Sequence, residues 1–270
     1  MAYRPGPFAL ALMGLIVVFL LVPLVAVVPI SFTPSEYLAL PQGAYSLRHY
    51  RALVDDPAWG NSALLSLWVG IVASALATTL ATAFGIGLWF LQPRLTRLLV
   101  GFVIMPMVVP PVISAVTLYF MLTSLSKFAG AIGYDTWPGV VIAHIVMISP
   151  FAVVMVLVAL SRLDRRIDMA ARSCGASVPR RIFSVILPNI RFGVATAAFL
   201  SFILSWEEIA VTLFITSTKA ITLPRLVWSG LRDNVDPAIA ALSVLLILVT
   251  IVLMVVITVV RARADRKPAH

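Results

Sequence analysis

Charged residues are scarce in this chain. Asp, Glu, Lys and Arg make up only 11% of its 270 residues, whereas 61% of the residues are hydrophobic. A soluble domain of this size could not cover so much apolar surface with so few charges. We therefore expect lipid to surround the chain, and we do not interpret its net charge of +9 as a nucleic-acid-binding surface.

Motifs for catalysis and metal binding are also missing. A single cysteine, Cys174, excludes an internal disulfide and a cysteine-rich zinc site. The three histidines are too scattered in sequence to suggest a metal motif. No lysine follows a glycine, so the phosphate-binding pattern G-x-x-x-x-G-K-[ST] is absent. These absences predict a chain that is not an enzyme and binds no cofactor of its own.

Six stretches approach or exceed the roughly 20 apolar residues that a helix needs to cross a bilayer. They are Phe8–Ile30, Asn61–Leu91, Leu98–Leu125, Gly139–Leu160, Phe192–Thr216 and Ala238–Val260. The sequence thus predicts an all-α integral membrane protein with six transmembrane helices. The first stretch is long for a signal peptide and no convincing cleavage site follows it, so we expect a retained anchor.

The basic residues predict the orientation of the helices. If the N-terminus is cytoplasmic, 14 of the 20 Lys and Arg lie in cytoplasmic segments and 6 lie outside. Because basic residues favour the cytoplasmic side, we expect both termini to be cytoplasmic. We expect a first span with its periplasmic connection at 1–60, a transmembrane core at 61–260 and a basic cytoplasmic tail at 261–270.

Prolines interrupt two of the predicted spans. Pro106, Pro110 and Pro111 fall in the third span, and Pro150 falls in the fourth. Proline removes a backbone donor and kinks a helix. The interruptions are either ordinary kinks in a packed bundle or flexible elements along a path that opens and closes. In the second span, the small residues of Ala73–Gly87 predict a helix-packing face.

One polar stretch, residues 161–191 between the fourth and fifth spans, has the features of a folded element. Asp168 can cap or charge the start of a helix. Gly175 is placed to end that helix in a left-handed conformation. The spacing therefore predicts a short helix followed by a glycine turn.

A second short helix is expected after this turn, with Pro179 in its first turn. The spacing of Ile182, Phe183 and Ile186 puts these three side chains on one face, and Pro188 is expected to break the helix. Such a helix pair could lie at the lipid interface, with its arginines near lipid phosphates. Alternatively, it could form a docking surface for a soluble partner.

The sequence "AARSCGAS…IFSVILPNI" resembles the EAA loop in the membrane subunits of binding-protein-dependent ABC importers. The residues that fit the pattern of this loop are Ala170, Ala171, Gly175, Ala176, Ile186, Leu187 and Pro188. Met169 stands where the family has a glutamate, and Asp168 precedes it. Either Asp168 replaces that glutamate or the coupling works without it.

The segments "IMPMVVPPVISAVTLYFML" and "SFILSWEEIAVTLFIT" resemble the polyamine branch of these permeases. The resemblance implies a type I importer (MetI-like) transmembrane domain in a bacterial inner membrane. The implied solute is a polyamine such as spermidine or putrescine, or a related organic cation. Other amino compounds, iron and oxyanions are the solutes of similar permeases and remain alternatives.

The resemblance also implies partners. They are a cytoplasmic ATPase dimer, which binds ATP and Mg, a second homologous permease subunit and a periplasmic solute-binding protein. In the family, the loop sits in a groove of the ATPase. The residues expected to couple this chain to it are Asp168, Ala170, Ala171, Gly175, Ala176, Leu187 and Pro188. Contacts from Arg172, Arg180 and Arg181 to acidic partner residues are a further expectation.

Three polar residues in the predicted spans are candidates for the solute path. Glu207 and Glu208 are expected within the fifth span, nearer its outer end, where a carboxylate is costly unless it faces water or a partner. They either attract a passing cation or pair with the second subunit or Arg225. His144 is either a gate or ligand on the path or a hydrogen-bonded core residue.

Two other classes of protein remain as rivals. A secondary transporter or channel would need no ATPase, but the sequence shows no obvious inverted repeat. A membrane scaffold would not need broken spans or acidic residues inside them.

Overall fold

The computed structural model describes residues 6–233 and 236–265, and these residues form α-helices with no β-strand. The helices are α1 (Pro7–Ser31), α2 (Arg48–Asp55), α3 (Pro57–Leu91), α4 (Thr96–Ile104), α5 (Pro111–Phe128), α6 (Trp137–Ser161), α7 (Arg165–Ser173), α8 (Val178–Arg181), α9 (Leu187–Trp206), α10 (Ala210–Ile215), α11 (Leu223–Asp233) and α12 (Ala238–Asp265). A short 3₁₀-helix at Met105–Met107 follows α4, and a second one, Gly130–Ile132, follows α5. A π-helical segment at Ile182–Ile186 joins α8 to α9.

Six helical stretches in the described residues are long and apolar enough to cross a membrane. They are Pro7–Ser31, Pro57–Leu91, Pro111–Phe128, Trp137–Ser161, Val178–Trp206 and Ala238–Val256. This confirms the predicted all-α fold with six transmembrane helices. The last helix continues beyond its apolar part to Asp265, and the rest of the expected tail, residues 266–270, lies outside the described residues.

The third predicted span is two helices instead of one kinked helix. α4 ends at Ile104, and a short 3₁₀-turn precedes an extended Pro110 with φ −53° and ψ 134°. Pro111 then occupies the first turn of α5, where its missing N–H costs no hydrogen bond. Because a residue before proline is pushed out of the helical region, the consecutive prolines separate the two helices. In contrast, α6 continues through Pro150.

The fifth predicted span has different limits. It begins within the polar stretch, because helical structure runs without a gap from Val178 to Trp206. It ends at Trp206, ten residues before the predicted limit, and a non-helical segment separates it from α10. The expectation that Pro188 breaks the second helix of the polar stretch is therefore wrong. The π-helical segment removes the usual clash of proline with the preceding turn, because Leu187 bonds five residues back, to Ile182.

Residues 61–226 form one compact unit. One buried cluster in this unit joins α3, α5, α6 and α10, and a second joins α3, α6 and α9. α6 contributes to both clusters and has buried residues along most of its length. This central helix therefore supports the elements on which the functional side chains lie.

Small residues allow α3 to pack closely in both clusters. Ala73, Ala77 and Ala81 recur at four-residue intervals on one face and are fully buried. Gly85 continues this face, and a Cβ atom there would lie only 2.9 Å from Leu160 and 3.0 Å from Val156. These contacts confirm the predicted packing face in Ala73–Gly87.

The described parts of 1–60 and 227–270 form a second compact unit. In this unit α1 packs against α12, and α2 also contacts α12. The predicted core at 61–260 includes the last span together with the middle four, whereas α12 groups with the first span in the structure. After α1, a hydrogen bond of 2.8 Å between Ser31 and Tyr50 connects the helix end to α2.

Candidate functional site

The loop between α6 and α9 begins with a capped helix. The side chain of Asp164 accepts a hydrogen bond of 2.9 Å from the backbone N–H of Arg166 and starts α7. The cap is thus Asp164, and of the two roles expected for Asp168, capping or charging the start of the helix, the structure agrees with the second. Asp168 lies in the first turn of α7, where a negative charge interacts favourably with the helix dipole.

Gly175 ends α7 in the left-handed conformation that the sequence predicts, with φ +78°. Its N–H donates to the carbonyl of Arg172 at 2.9 Å, and the N–H of Ala176 donates to Ala171 at 3.1 Å. This pair of hydrogen bonds is a Schellman motif. A Cβ atom at Gly175 would have no neighbour within 4 Å, so glycine is required here by the backbone conformation alone.

An ion pair joins the two short helices of the loop. The carboxylate of Asp168 accepts from Arg181 twice, from Nε at 2.7 Å and from Nη2 at 2.5 Å. The two side chains are only 13% and 12% exposed. These hydrogen bonds hold the pKa of Asp168 below its usual range against the opposing effect of burial, with smaller help from the Trp89 indole and from Arg165. Arg181 is therefore engaged within the chain rather than free for an acidic partner.

The end of α3 supports this ion pair with two aromatic rings. The guanidinium carbon of Arg181 lies 4.7 Å from the ring centroid of Phe90. The guanidinium of Arg165 lies at the same distance over the ring of Trp89. Cations at this distance over aromatic faces are attracted by the ring quadrupole. No local sequence pattern reveals these two aromatic residues, because only the fold brings them beside the loop.

The other predicted coupling residues differ in exposure. Ala170 and Pro188 are exposed, whereas Ala171, Ala176 and Leu187 are half-buried. Met169 is also exposed and has no charged group to offer. The predicted single face of Ile182, Phe183 and Ile186 does not hold, because Ile186 is fully buried whereas Phe183 is 70% exposed.

Glu207 and Glu208 lie in a break between helices and not inside the fifth span. The segment from Glu207 to Ile209 separates α9 from α10. Glu207 is exposed, whereas Glu208 is half-buried and its carboxylate accepts a hydrogen bond of 2.9 Å from the N–H of Val211. The two acids therefore have different surroundings.

A cavity of about 190 Å³ connects the break at Glu208 with the break between α4 and α5. It is lined by Glu208 together with Pro106, Met107, Val109, Pro111, Met147, Ile148, Phe151 and Leu204. Met147, Ile148 and Phe151 lie near the middle of α6. Glu208 therefore lies at the depth of the middle of α6, whereas the sequence predicted a position nearer the outer end of a span. A carboxylate beside two interrupted helices at this depth is an arrangement that suits a cation.

His144 is buried in the core of the 61–226 unit. It is 1% exposed. Its Nδ1 lies 2.8 Å from the hydroxyl of Ser205 on α9, and its Nε2 lies 3.2 Å from the hydroxyl of Thr212 on α10. The imidazole thus spans the same helix break that contains Glu208, as the hydrogen-bonded core alternative requires.

At the opposite end of this unit from the loop, Asp135 organises a turn that the sequence analysis did not identify. Its carboxylate accepts from the backbone N–H groups of Ser217 at 2.8 Å, Thr218 at 3.1 Å, and Lys219 and Ala220 at 3.2 Å. Burial by itself raises the pKa of Asp135, but the four hydrogen bonds outweigh burial and hold the pKa below its usual range. The partners are more than 80 positions away in sequence, so no local pattern reveals them.

A wide apolar groove of about 780 Å³ runs along α3 and α9. Phe90, Ile182 and Phe183 line it near the loop. The hydroxyls of Thr78 and Thr82, which also line it, are buried and have no hydrogen-bond partner in the described residues.

Comparison with known proteins identifies the family. Residues 81–270 match the family described as binding-protein-dependent transport system inner membrane component. The chain belongs to this family. The match confirms the predicted assignment to membrane subunits of binding-protein-dependent importers and makes the chain a multi-pass inner-membrane protein.

Curated relatives of this chain in the family are transport permeases. The chain is 29% identical over 266 residues to the putrescine transport system permease protein PotI of Escherichia coli (strain K12), covering 97% of this chain and 93% of that protein. It is 26% identical to the spermidine/putrescine transport system permease protein PotC of Haemophilus influenzae, covering 88% of this chain and 90% of that protein. It is 25% identical to the trehalose transport system permease protein SugB of Mycobacterium tuberculosis, covering 83% and 81%.

A solved structure supports the same fold. The crystal structure of a bacterial ABC transporter involved in the import of the acidic polysaccharide alginate matches with a TM-score of 0.70 and 14% identity. The match covers 97% of this chain and 99% of the other chain. At this identity the likeness concerns the fold alone.

Proposed function

We propose that this chain is the permease subunit of an ATP-driven importer that moves a polyamine, such as putrescine or spermidine, or a related organic cation into the cytoplasm. The position of Glu208, beside two helix breaks and near the middle of α6, supports a cationic solute. Two similar proteins are named as putrescine and spermidine/putrescine permeases, which agrees with a cationic solute. A trehalose permease is also similar, so the likeness to relatives does not by itself select a cation.

In this proposal Glu208 attracts the cation, and Glu207 does not contribute directly. An ammonium group near mid-span needs an opposite charge and further acceptors, because lipid supplies neither. The helix breaks offer backbone carbonyls that have lost their helical partners. His144 acts as a positioning residue that holds the α9 and α10 sides of the break together.

The coupling partner in this proposal is a cytoplasmic ATPase dimer, which binds ATP and Mg. The surface offered to it is the outer face of α7 and the Gly175 turn, where Ala170 is exposed. Small side chains allow close approach of a partner surface. Arg172 and Arg180 are exposed on the same loop and suit acidic partner residues.

A second, homologous permease subunit is the proposed occupant of the groove along α3 and α9. Its lining on α3 includes small residues such as Ala75, Ala83 and Gly87, which allow another helix to approach closely. A periplasmic binding protein that delivers the solute completes the proposed system.

The proposed orientation puts the loop end of the bundle and both termini in the cytoplasm. The excess of Lys and Arg in the corresponding segments supports this direction. With this orientation, the Asp135 turn faces the periplasm. The core at 61–260 and the basic tail at 261–270 also remain proposals.

Purification of the chain from membranes tests the assembly, and titration of the binding protein tests the solute. We expect an ATPase, a second permease and a binding protein to co-purify. The isolated binding protein should bind putrescine or spermidine and not trehalose. A complex without an ATPase would contradict the importer, and a binding protein that takes only neutral sugars would contradict the cation.

A further inference from the structure

The loop contacts the bundle at a third place besides its two chain connections. This place is the end of α3, where the guanidinium groups of Arg165 and Arg181 lie over the rings of Trp89 and Phe90. We propose that Phe90, Asp168 and Arg181 form a latch that transmits displacement of the loop to α3. The inference rests on the proposed function, because it assumes that an ATPase moves the loop.

Neither of the two chain connections is an uninterrupted α-helix. Toward α6, the residues Arg162–Asp164 form a turn and not a continuous helix. Toward α9, the chain passes through the π-helical segment Ile182–Ile186. Such segments interrupt regular helical hydrogen bonding and are frequent at functional positions. The contact with the end of α3 adds a third fixed point to these two connections.

The chemistry of the latch favours a rigid connection. Arg181 donates from Nε and Nη2 to the two carboxylate oxygens of Asp168, and its guanidinium carbon lies over the ring of Phe90. The planar guanidinium can do both at once, which an ammonium cannot. Bidentate pairing also fixes the angle between the groups. Asp168 thus connects α7 to Arg181 at the end of α8, and Phe90 connects Arg181 to α3.

The latch involves Asp168 and not Met169, the residue that stands where the family has a glutamate. Met169 is exposed on the loop surface, whereas the acid one position earlier is turned inward to Arg181. Asp168 therefore acts inside this chain as a positioning residue and is not available to pair with a partner subunit.

A distance measurement between the loop and α3 tests the latch directly. Cys174 is exposed and is the only cysteine of the chain, so one spin label can be attached there and a second at Leu91→Cys, which is exposed at the end of α3. The full complex with its ATPase and binding protein is measured without nucleotide and with ATP trapped. We expect the same distance distribution in both states. A distance that changes with ATP, in a labelled complex that keeps ATP-driven uptake, would overturn the proposal.

Variants separate the latch from a general stability effect. Phe90→Ala removes the α3 contact and leaves the loop sequence intact, while Phe90→Tyr keeps the ring. Arg94→Gln is a matched control for Arg181→Gln, because it removes an exposed positive charge just beyond α3. In proteoliposomes that hold the full complex, putrescine uptake per ATP hydrolysed should fall roughly tenfold in F90A and R181Q, within the usual range of coupling between distant sites. It should stay at the wild-type value in F90Y and R94Q.

The outcomes distinguish the latch from the proposed function. In F90A, ATP hydrolysis should continue and the Cys174–Leu91→Cys distance should become dependent on ATP. Wild-type uptake per ATP in both F90A and R181Q would overturn the latch while leaving the importer intact. Absence of ATP-driven uptake in the wild-type complex would instead overturn the proposed function and, with it, the latch.

Discussion

The carboxylate of Glu208 accepts a hydrogen bond of 2.9 Å from the backbone N–H of Val211. The same carboxylate lines the cavity between the two helix breaks. Glu208 therefore has a structural contact, which begins α10, and a charge that is available to a cation. The two properties can be separated, because a glutamine side chain can still accept from Val211 but carries no charge.

We predict that Glu208→Gln lowers putrescine uptake at least about tenfold, which corresponds to about 1.4 kcal/mol of lost attraction for the cation. Glu207→Gln is the matched control and should leave uptake within about twofold, because Glu207 is exposed and does not line the cavity. Uptake assays with the purified complex, together with the ATPase rate, check this. Equal effects of the two variants would contradict a specific role for Glu208.

The pair of hydrogen bonds from His144 predicts a loss of stability on truncation. His144→Ala leaves the buried hydroxyl of Ser205 without its partner, whereas the hydroxyl of Thr212 keeps its hydrogen bond to the carbonyl of Glu208. An unpartnered buried hydroxyl costs about 1–3 kcal/mol, so the thermal midpoint of the complex in detergent should fall clearly. His144→Gln, which keeps donors and acceptors, should recover part of the loss. If His144 bound the solute directly, the KM for putrescine would rise in H144Q without a change in the thermal midpoint.

Two substitutions of Gly175 test whether its backbone conformation is what requires glycine. Since nothing surrounds the position of its Cβ, the cost of a side chain arises from φ +78°. Gly175→Val should cost about 1–2 kcal/mol or more and weaken co-purification of the ATPase, because β-branched residues are strongly disfavoured in this region. Gly175→Asn should be tolerated, since asparagine adopts the left-handed conformation more readily. Equal loss in both variants would indicate a steric contact with the partner in place of a backbone effect.

The lowered pKa of Asp135 predicts that the stability of the folded chain depends on pH. Its pKa is lowered in the folded protein, so the folded state holds the proton less tightly than the unfolded chain does. The stabilisation is therefore fully present above the unfolded pKa of about 3.9 and is lost as the pH falls through the folded pKa.

Asp135→Asn should lower the thermal midpoint by the same amount from pH 8 to pH 5, because the carboxylate stays ionised throughout that interval. The difference from the wild type should shrink below about pH 4, where the Asp135 carboxyl of the unfolded chain begins to bind a proton. Asp55→Asn, at an exposed acid at the end of α2, is the control and should change the midpoint little at any pH. A D135N effect that grows on acidification would contradict the assigned role.

The sequence predicts the architecture well where apolar length alone decides the outcome. The first, fourth and sixth spans begin within two residues of their predicted positions. The third and fifth spans differ because local geometry overrides apolar length. Two consecutive prolines separate α4 from α5, and the π-helical segment allows helix to continue through Pro188.

Local sequence likewise predicts only part of the candidate site. The left-handed Gly175 follows from local sequence, since a glycine directly after a helix favours the left-handed conformation. The Asp168–Arg181 pair spans 13 residues, and Phe90 lies far away in the chain. Contacts of this kind depend on how α3 packs against α6 and α9, and a single sequence does not encode them as a local pattern.

ATP-dependent uptake by the reconstituted complex tests the central claim most directly. The chain is placed in proteoliposomes with its second permease and ATPase, and radiolabelled putrescine is supplied with the binding protein. We predict uptake that requires ATP, the ATPase and the binding protein together, and that disappears when any one is omitted. Uptake of putrescine by this chain alone, without ATP, would contradict the account and indicate a secondary transporter.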